Sequence, residues 1–160
     1  MLALLFDMNS LWEEYILVQL KKACFQTPYS VTGQQSKGFW ESSTLRPDIL
    51  IKQNGSTQII LDTKWKQISG NRPSAEDLRQ MYVYNDYWDT KFAVLLYPGA
   101  KDVELFHREF KFSNHACGIL KINVLDANGN LDQGIGERIL NTFEKEGLLV
   151  NETVNDSNLG

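Results

Sequence analysis

Apolar and polar positions along this chain change their spacing several times, and each change marks an element. "FDMNSLWEEYILVQLKKA" reads as a helix. Leu11, Tyr15 and Val18 fall on one face, Asn9 or Ser10 stands where a cap belongs, and Lys21 and Lys22 suit the negative C-terminal end. Residues 26–44 are polar and rich in Gly, Ser and Gln, which predicts an edge hairpin or a loop. Two short apolar runs, "ILI" and "IIL", then flank Asn54-Gly55, a strong hairpin signal, predicting strands over 49–52 and 58–66. Their lack of alternation is expected of strands covered on both faces.

Beyond the punctuation "SGNRPS", Ser74 and Asp77 resemble a capping box that opens the helix "SAEDLRQMYVYNDYWD". "KFAVLLY" predicts a buried strand stopped by Pro98-Gly99. "VELFHREFKF" alternates like a half-exposed strand, and "GILKINVLD" is a further strand before the turn "ANGN". A last helix is predicted over 133–147, with 1–150 forming a single domain and 151–160 a polar, disordered tail. The order of helix, strands, helix, strands, helix predicts an α/β fold: a mixed central sheet with helices on its faces.

Composition narrows the functions. The chain of 160 residues carries a net charge of −4, so it is not a basic nucleic-acid glove, and contact with DNA needs a local patch, a bound cation or a second protein. Cys24 and Cys117 follow no zinc spacing and read as reduced thiols of a cytoplasmic protein. The apolar opening "MLALLF" is short, lacks a basic leader and meets Asp7 at once, so neither a signal peptide nor a membrane span is expected. His107 and His115 stand apart from any ligand-spaced partner. Trp65, Trp88, Tyr82 and Tyr87 read as packing residues, "GIGER" as a turn entering a helix, and Lys52, Lys66 and Arg72 as solvated cations near the sheet.

The chemistry concentrates in "STLRPDILIKQNGSTQIILDTKWK". Residues two apart on a strand share a side, so Asp62 and Lys64 project together, with the Thr63 carbonyl in the strand edge. Two carboxylates and a carbonyl suit Mg²⁺, and a lysine beside it can orient or help deprotonate a water. Register is the obstacle. A two-residue Asn54-Gly55 turn sets Pro47 opposite Asp62 and turns Asp48 to the other side. Either a bulged three-residue loop or a bend at Pro47 is needed to bring the two acids together. Gln80 and Tyr84, four apart, share one face of the next helix, and Glu13 or Glu14 of the first helix could add a carboxylate.

"PD" at 47–48 and "DTK" at 62–64 resemble the PD-(D/E)xK nuclease superfamily, and Gln80-x-x-x-Tyr84 resembles its RecB-like members. Together, "FDMNSLWEEYI", "LRPDILI", "IILDTKWK" and "DLRQMYVY" look like the McrC-type nuclease domains of methylcytosine-dependent McrBC restriction systems, over roughly residues 4–97. The resemblance implies a restriction-endonuclease-like fold and Mg²⁺-dependent hydrolysis of DNA, with Mn²⁺ able to substitute. Asp48, Asp62, Thr63 and Glu13 would bind the metal, Lys64 would serve the water, and Gln80 and Tyr84 would position the site. Glu13 is preferred over Glu14 because "LWE" matches the family's "LFE"-like step. The implied partners are DNA and an McrB-like GTPase motor, with no membrane and no nucleotide held by this chain. Such proteins carry a further N-terminal region that meets the motor; here it is expected to be absent, cut away or encoded elsewhere. The competing readings are a non-catalytic nuclease-fold module for DNA binding or assembly, and an autonomous repair or junction nuclease.

Overall fold

The structure, a computed structural model, describes residues 7–151. The elements run α1 (Met8–Ala23), β1 (Tyr29–Gly33), β2 (Lys37–Trp40), β3 (Ser43–Leu45), β4 (Ile49–Gln53) and β5 (Ser56–Thr63). Then follow α2 (Ala75–Trp88), β6 (Phe92–Pro98), β7 (Val103–Glu109), β8 (Ala116–Ile122) and α3 (Ile135–Lys145). Six strands form one mixed sheet in the order β1-β4-β5-β6-β8-β7, in which β5, β6 and β8 are parallel and the other pairings antiparallel. β2 and β3 make the hairpin expected within 26–44, while β1 from the same stretch joins the main sheet at its edge. The tail expected over 151–160 lies, apart from Asn151, outside the described residues.

The continuous apolar runs divide by pleat between two covered faces. Ile49, Ile51, Ile59, Leu61, Val94 and Leu96 pack under α1 and α3, whereas Leu50, Ile60, Ala93, Leu95 and Tyr97 pack under α2. This is the restriction-endonuclease-like α/β architecture: a mixed sheet with helices on both sides.

Two details of α1 differ from the sequence pattern. Asp7, not Asn9 or Ser10, caps it, its carboxylate accepting from the backbone N–H groups of both. The buried face is Trp12, Ile16, Gln19 and Leu20, while Leu11 is 51 % exposed and Val18 also faces out. "LWEEYILVQL" is apolar on most sides, so the face that turns inward is chosen by the sheet and α3 rather than by periodicity. On α2, Ser74 caps as expected, its hydroxyl accepting from the Asp77 N–H. The Asp77 carboxylate does not close the box; it turns to two lysines.

The register obstacle is resolved by a bulge. Asn54 and Gly55 both have positive φ and make the tight two-residue turn, with Gln53 opposite Ser56 and Lys52 opposite Thr57. Gln58 is then extra: Ile51 pairs with Ile59, Leu50 with Ile60 and Ile49 with Leu61. Extended one step, this register sets Asp48 opposite Asp62 and Pro47 opposite Thr63. The shift comes from a bulge two rungs inside the hairpin and not from a longer loop.

Candidate active site

The rim where β4 begins and β5 ends gathers the residues that the sequence singled out. Asp62 shares the α2 side of the sheet with Ile60, and its residue surface is only 3 % exposed. Asp48, one residue before β4, bends across the strand end. Its Oδ2 accepts from the Thr63 backbone N–H at 2.7 Å and from the Thr63 hydroxyl at 2.9 Å. The β4–β5 ladder ends at Ile49 opposite Leu61, and beyond it the Asp48 carboxylate takes the Thr63 N–H in place of a ladder carbonyl. Pro47, opposite Thr63 in the extended register, has no N–H to donate to the Thr63 carbonyl, which leaves that oxygen at the strand edge. The "PD" pair thus acts twice, breaking the ladder with its proline and capping it with its carboxylate.

Lys64 Nζ lies 2.8 Å from Asp62 Oδ2 and 3.4 Å from Asp77 Oδ1, and donates to Gln80 Oε1 at 3.4 Å. Gln80 Nε2 donates in turn to the Tyr84 hydroxyl at 2.9 Å, and that hydroxyl donates to the Arg46 carbonyl at 3.2 Å. The four-residue spacing therefore does what its helical face suggested: one turn of α2 ties Lys64 to the segment leading into Asp48. Tyr84 keeps its proton, because burial above all, and then the Asp62 charge, push its phenol up to about 12.

Glu13 and Glu14 separate cleanly. Glu13 is half-buried and accepts from Gln34 Nε2 at 3.2 Å, while Glu14 is exposed. Burial first, and then the neighbouring Asp48 charge, raise the Glu13 carboxyl above the usual range. Gln34, which donates to Glu13 from its side chain and to the Asp48 carbonyl from its backbone N–H, ties it to the Asp48 side of the rim. Trp12 fixes that part of α1 by donating from Nε1 to the Leu96 carbonyl at 3.3 Å.

The electrostatics are those of a site short of positive charge. Burial raises the Asp62 carboxyl, Asp48 raises it further, and Lys64 only partly offsets them, leaving it at about 6. Lys64 itself is disfavoured as a cation by burial, but Asp62 and Asp77 outweigh this and its pKa is raised. Asp62 Oδ2 is buried, and the Lys64 ammonium at 2.8 Å is the charge set against it. Among the described residues no three His, Cys, Asp or Glu side chains converge as a complete ligand cluster. What the rim offers is the two carboxylates of Asp48 and Asp62 and the Thr63 carbonyl, with Glu13 alongside. That donor set fits a hard dication that keeps several waters.

Asp77 was not anticipated as part of the site. Its signal was present as the third residue of α2, but there it reads as a capping partner, and only the fold shows its carboxylate between Lys64 and Lys66. The other polar residues keep ordinary roles. His115 is buried between Asn85 and Asp86 as a structural tie, and Cys24 and Cys117 are free and buried. Trp88 is core and Trp65 packs edge-on against Trp12, while Tyr82 and Tyr87 are partly exposed.

The fold and rim define the class, a restriction-endonuclease-like α/β domain with an Asp-Asp-Lys cluster at the edge of its sheet. The family described as McrBC 5-methylcytosine restriction system component matches residues 1–98, and the chain belongs to that family. No curated protein sequence matches it. Among solved structures it is similar to a chain of the refined half-complex from the tetradecameric assembly of Thermococcus gammatolerans McrB AAA+ hexamers with bound McrC. The TM-score is 0.65 at 23 % identity, over 86 % of this chain and 33 % of that one. This chain therefore spans about a third of the length of its structural relative.

Proposed function

We propose that this chain is the cleaving domain of an McrBC-type restriction system, a Mg²⁺-dependent endonuclease that hydrolyses DNA phosphodiesters. The observation that carries the reading is the buried Asp62 carboxylate, set by the Gln58 bulge on the same rim as Asp48 and beside Lys64. Asp48, Asp62 and the Thr63 carbonyl would hold the cation, with Glu13 completing the set from α1. Bound there, Mg²⁺ or Mn²⁺ supplies positive charge to the scissile phosphate and to the attacking water.

The chain's own residues do the rest. Thr63 orients Asp48 through two hydrogen bonds, so that carboxylate is in place before any ligand arrives. Lys64, held as a cation, offers its protons to water or to a phosphate oxygen and offsets charge as the phosphate becomes more negative. Gln80 and Tyr84 hold the ammonium at that distance. The products are a 5′-phosphate and a 3′-hydroxyl. The similarity to a McrB AAA+ assembly with bound McrC supports a GTPase motor partner. A partner that grips DNA also accommodates the acidic charge of this chain. Among the described residues no helix is long and apolar enough to cross a membrane.

The test is cleavage of plasmid DNA with Mg²⁺, alone and with the motor subunit, together with calorimetry of cation binding. Lys64→Ala should slow cleavage by about a hundredfold while still binding the cation. Asp48→Ala should lose measurable binding. Cation binding that ignores the Asp48 change would overturn the reading.

Binding should also depend on pH with a defined sign. Cation and proton compete for Asp62, whose carboxyl titrates near 6. Affinity for Mg²⁺ should therefore rise between pH 5 and pH 7 and then level off. In the metal-free protein the raised carboxyl contributes stability that is complete below its unfolded value and is lost as pH rises through about 6. The increase in melting temperature produced by Mg²⁺ should accordingly be larger at pH 7.5 than at pH 5.

A further inference from the structure

Asp62, the carboxylate that would receive the cation, is also the one that Lys64 contacts, through Oδ2 at 2.8 Å. A dication and an ammonium repel each other at one oxygen, so filling the site weakens the hold of Asp62 on Lys64. Something else must then keep the lysine from swinging into solvent, because its side chain is 23 % exposed and has four rotatable bonds. Gln80 offers only a neutral oxygen at 3.4 Å.

Asp77 is the remaining anion. Its Oδ1 is 3.4 Å from Lys64 Nζ, its Oδ2 is 3.0 Å from Lys66 Nζ, and the residue is buried at the first turn of α2. Its backbone N–H is tied to the Ser74 hydroxyl at 3.0 Å, so this carboxylate is anchored by the helix cap and does not depend on Asp48 or Asp62 for its position. It belongs to α2, whereas Asp48 and Thr63 belong to the β4–β5 rim.

We infer that Asp77 is the positioning residue for Lys64, the counter-ion that retains the ammonium at the rim when a divalent cation takes Asp62. The inference rests on the proposed nuclease reading and adds to it a fourth acid that binds no metal. Lys64 is shared between Asp62 and Asp77, and Asp77 alone would hold it, from the helix side, once a cation takes Asp62. The position of α2 becomes part of the active site, since any displacement of its first turn moves Lys64.

The experiment compares wild type, Asp77→Asn, Asp77→Glu, Lys66→Ala, Lys64→Ala and the double variant Asp77→Asn/Lys64→Ala. Cation binding is read by calorimetry, and kcat and KM by DNA cleavage with the motor subunit present. Asp77→Asn should bind Mg²⁺ within about twofold of wild type, with kcat down by about thirtyfold and KM little changed. Asp77→Glu should recover much of the loss, since glutamate is equally at home in the first helical turn. Lys66→Ala should leave kcat within about threefold, placing the effect on Lys64 rather than on the second lysine. The double variant should be no slower than Lys64→Ala alone, because two residues acting as one unit do not add. Unchanged kcat in Asp77→Asn, or a double variant slower by the product of both losses, would remove Asp77 from this role while leaving the nuclease reading in place. A wild-type protein without cation-dependent cleavage would instead overturn that reading, and this inference with it.

Discussion

Exchanging Asp62 for asparagine should abolish measurable Mg²⁺ binding and slow DNA cleavage by about a thousandfold or more, with the fold intact. The size of the effect follows from what one atom does. Asp62 is buried, feels the charge of Asp48, and pairs through Oδ2 with the ammonium of Lys64 at 2.8 Å. Asparagine keeps the shape, so the strand, whose neighbours Leu61 and Ile60 are fully buried, has no reason to move. On the proposed reading it removes the charge that would hold a dication, and it leaves Lys64 with Asp77 alone. A plasmid-nicking time course with circular dichroism of the same sample separates the two effects. Near-wild-type cleavage would mean that the acid is structural.

The largest loss of stability is expected far from the chemistry, in Gly136→Ala. A Cβ at this position on α3 would lie 2.2 Å from the Gln19 carbonyl oxygen and 2.6 Å from its carbon, both backbone atoms of α1. No rotamer change relieves a contact between two backbones, so the helices must separate and loosen Ile16, Leu20, Ile139 and Phe143 between them. The cost should reach about 3 kcal/mol, or a fall of roughly 10 °C in melting temperature for a domain of this size. Gly38→Ala, where an added Cβ meets nothing within 4 Å, is the control and should be near neutral. Urea denaturation of both variants reads the difference. The consequence extends to function, because α1 also carries Glu13 and, through Trp12, a hydrogen bond to the carbonyl of Leu96. A displaced α1 should therefore weaken cation binding as well as the fold.

Particular residues show what could be read without coordinates. The hairpin at Asn54-Gly55 and the cap at Ser74 are local events, set by backbone preferences within four residues, and both stand as read. Asp62 with Lys64, and Gln80 with Tyr84, are paired by the period of their own strand or helix, and they meet as those periods require. Asn9 and Ser10 misled as caps because all three polar residues at 7, 9 and 10 are competent, and the choice depends on where the helix can begin against the sheet.

Sequence by itself determined the element order, the mixed sheet, the Asp-x-Lys side and the nuclease-like signature, since each is written in short-range spacing. Tertiary structure alone decided that Gln58 bulges and so brings Asp48 to Asp62. It also decided that Asp77 stands behind Lys64 and that α3 touches α1 at Gly136. These are contacts between segments far apart in the chain, or choices between locally equal neighbours. Their outcome is fixed by how whole faces pack against one another, a quantity that no window of adjacent residues contains.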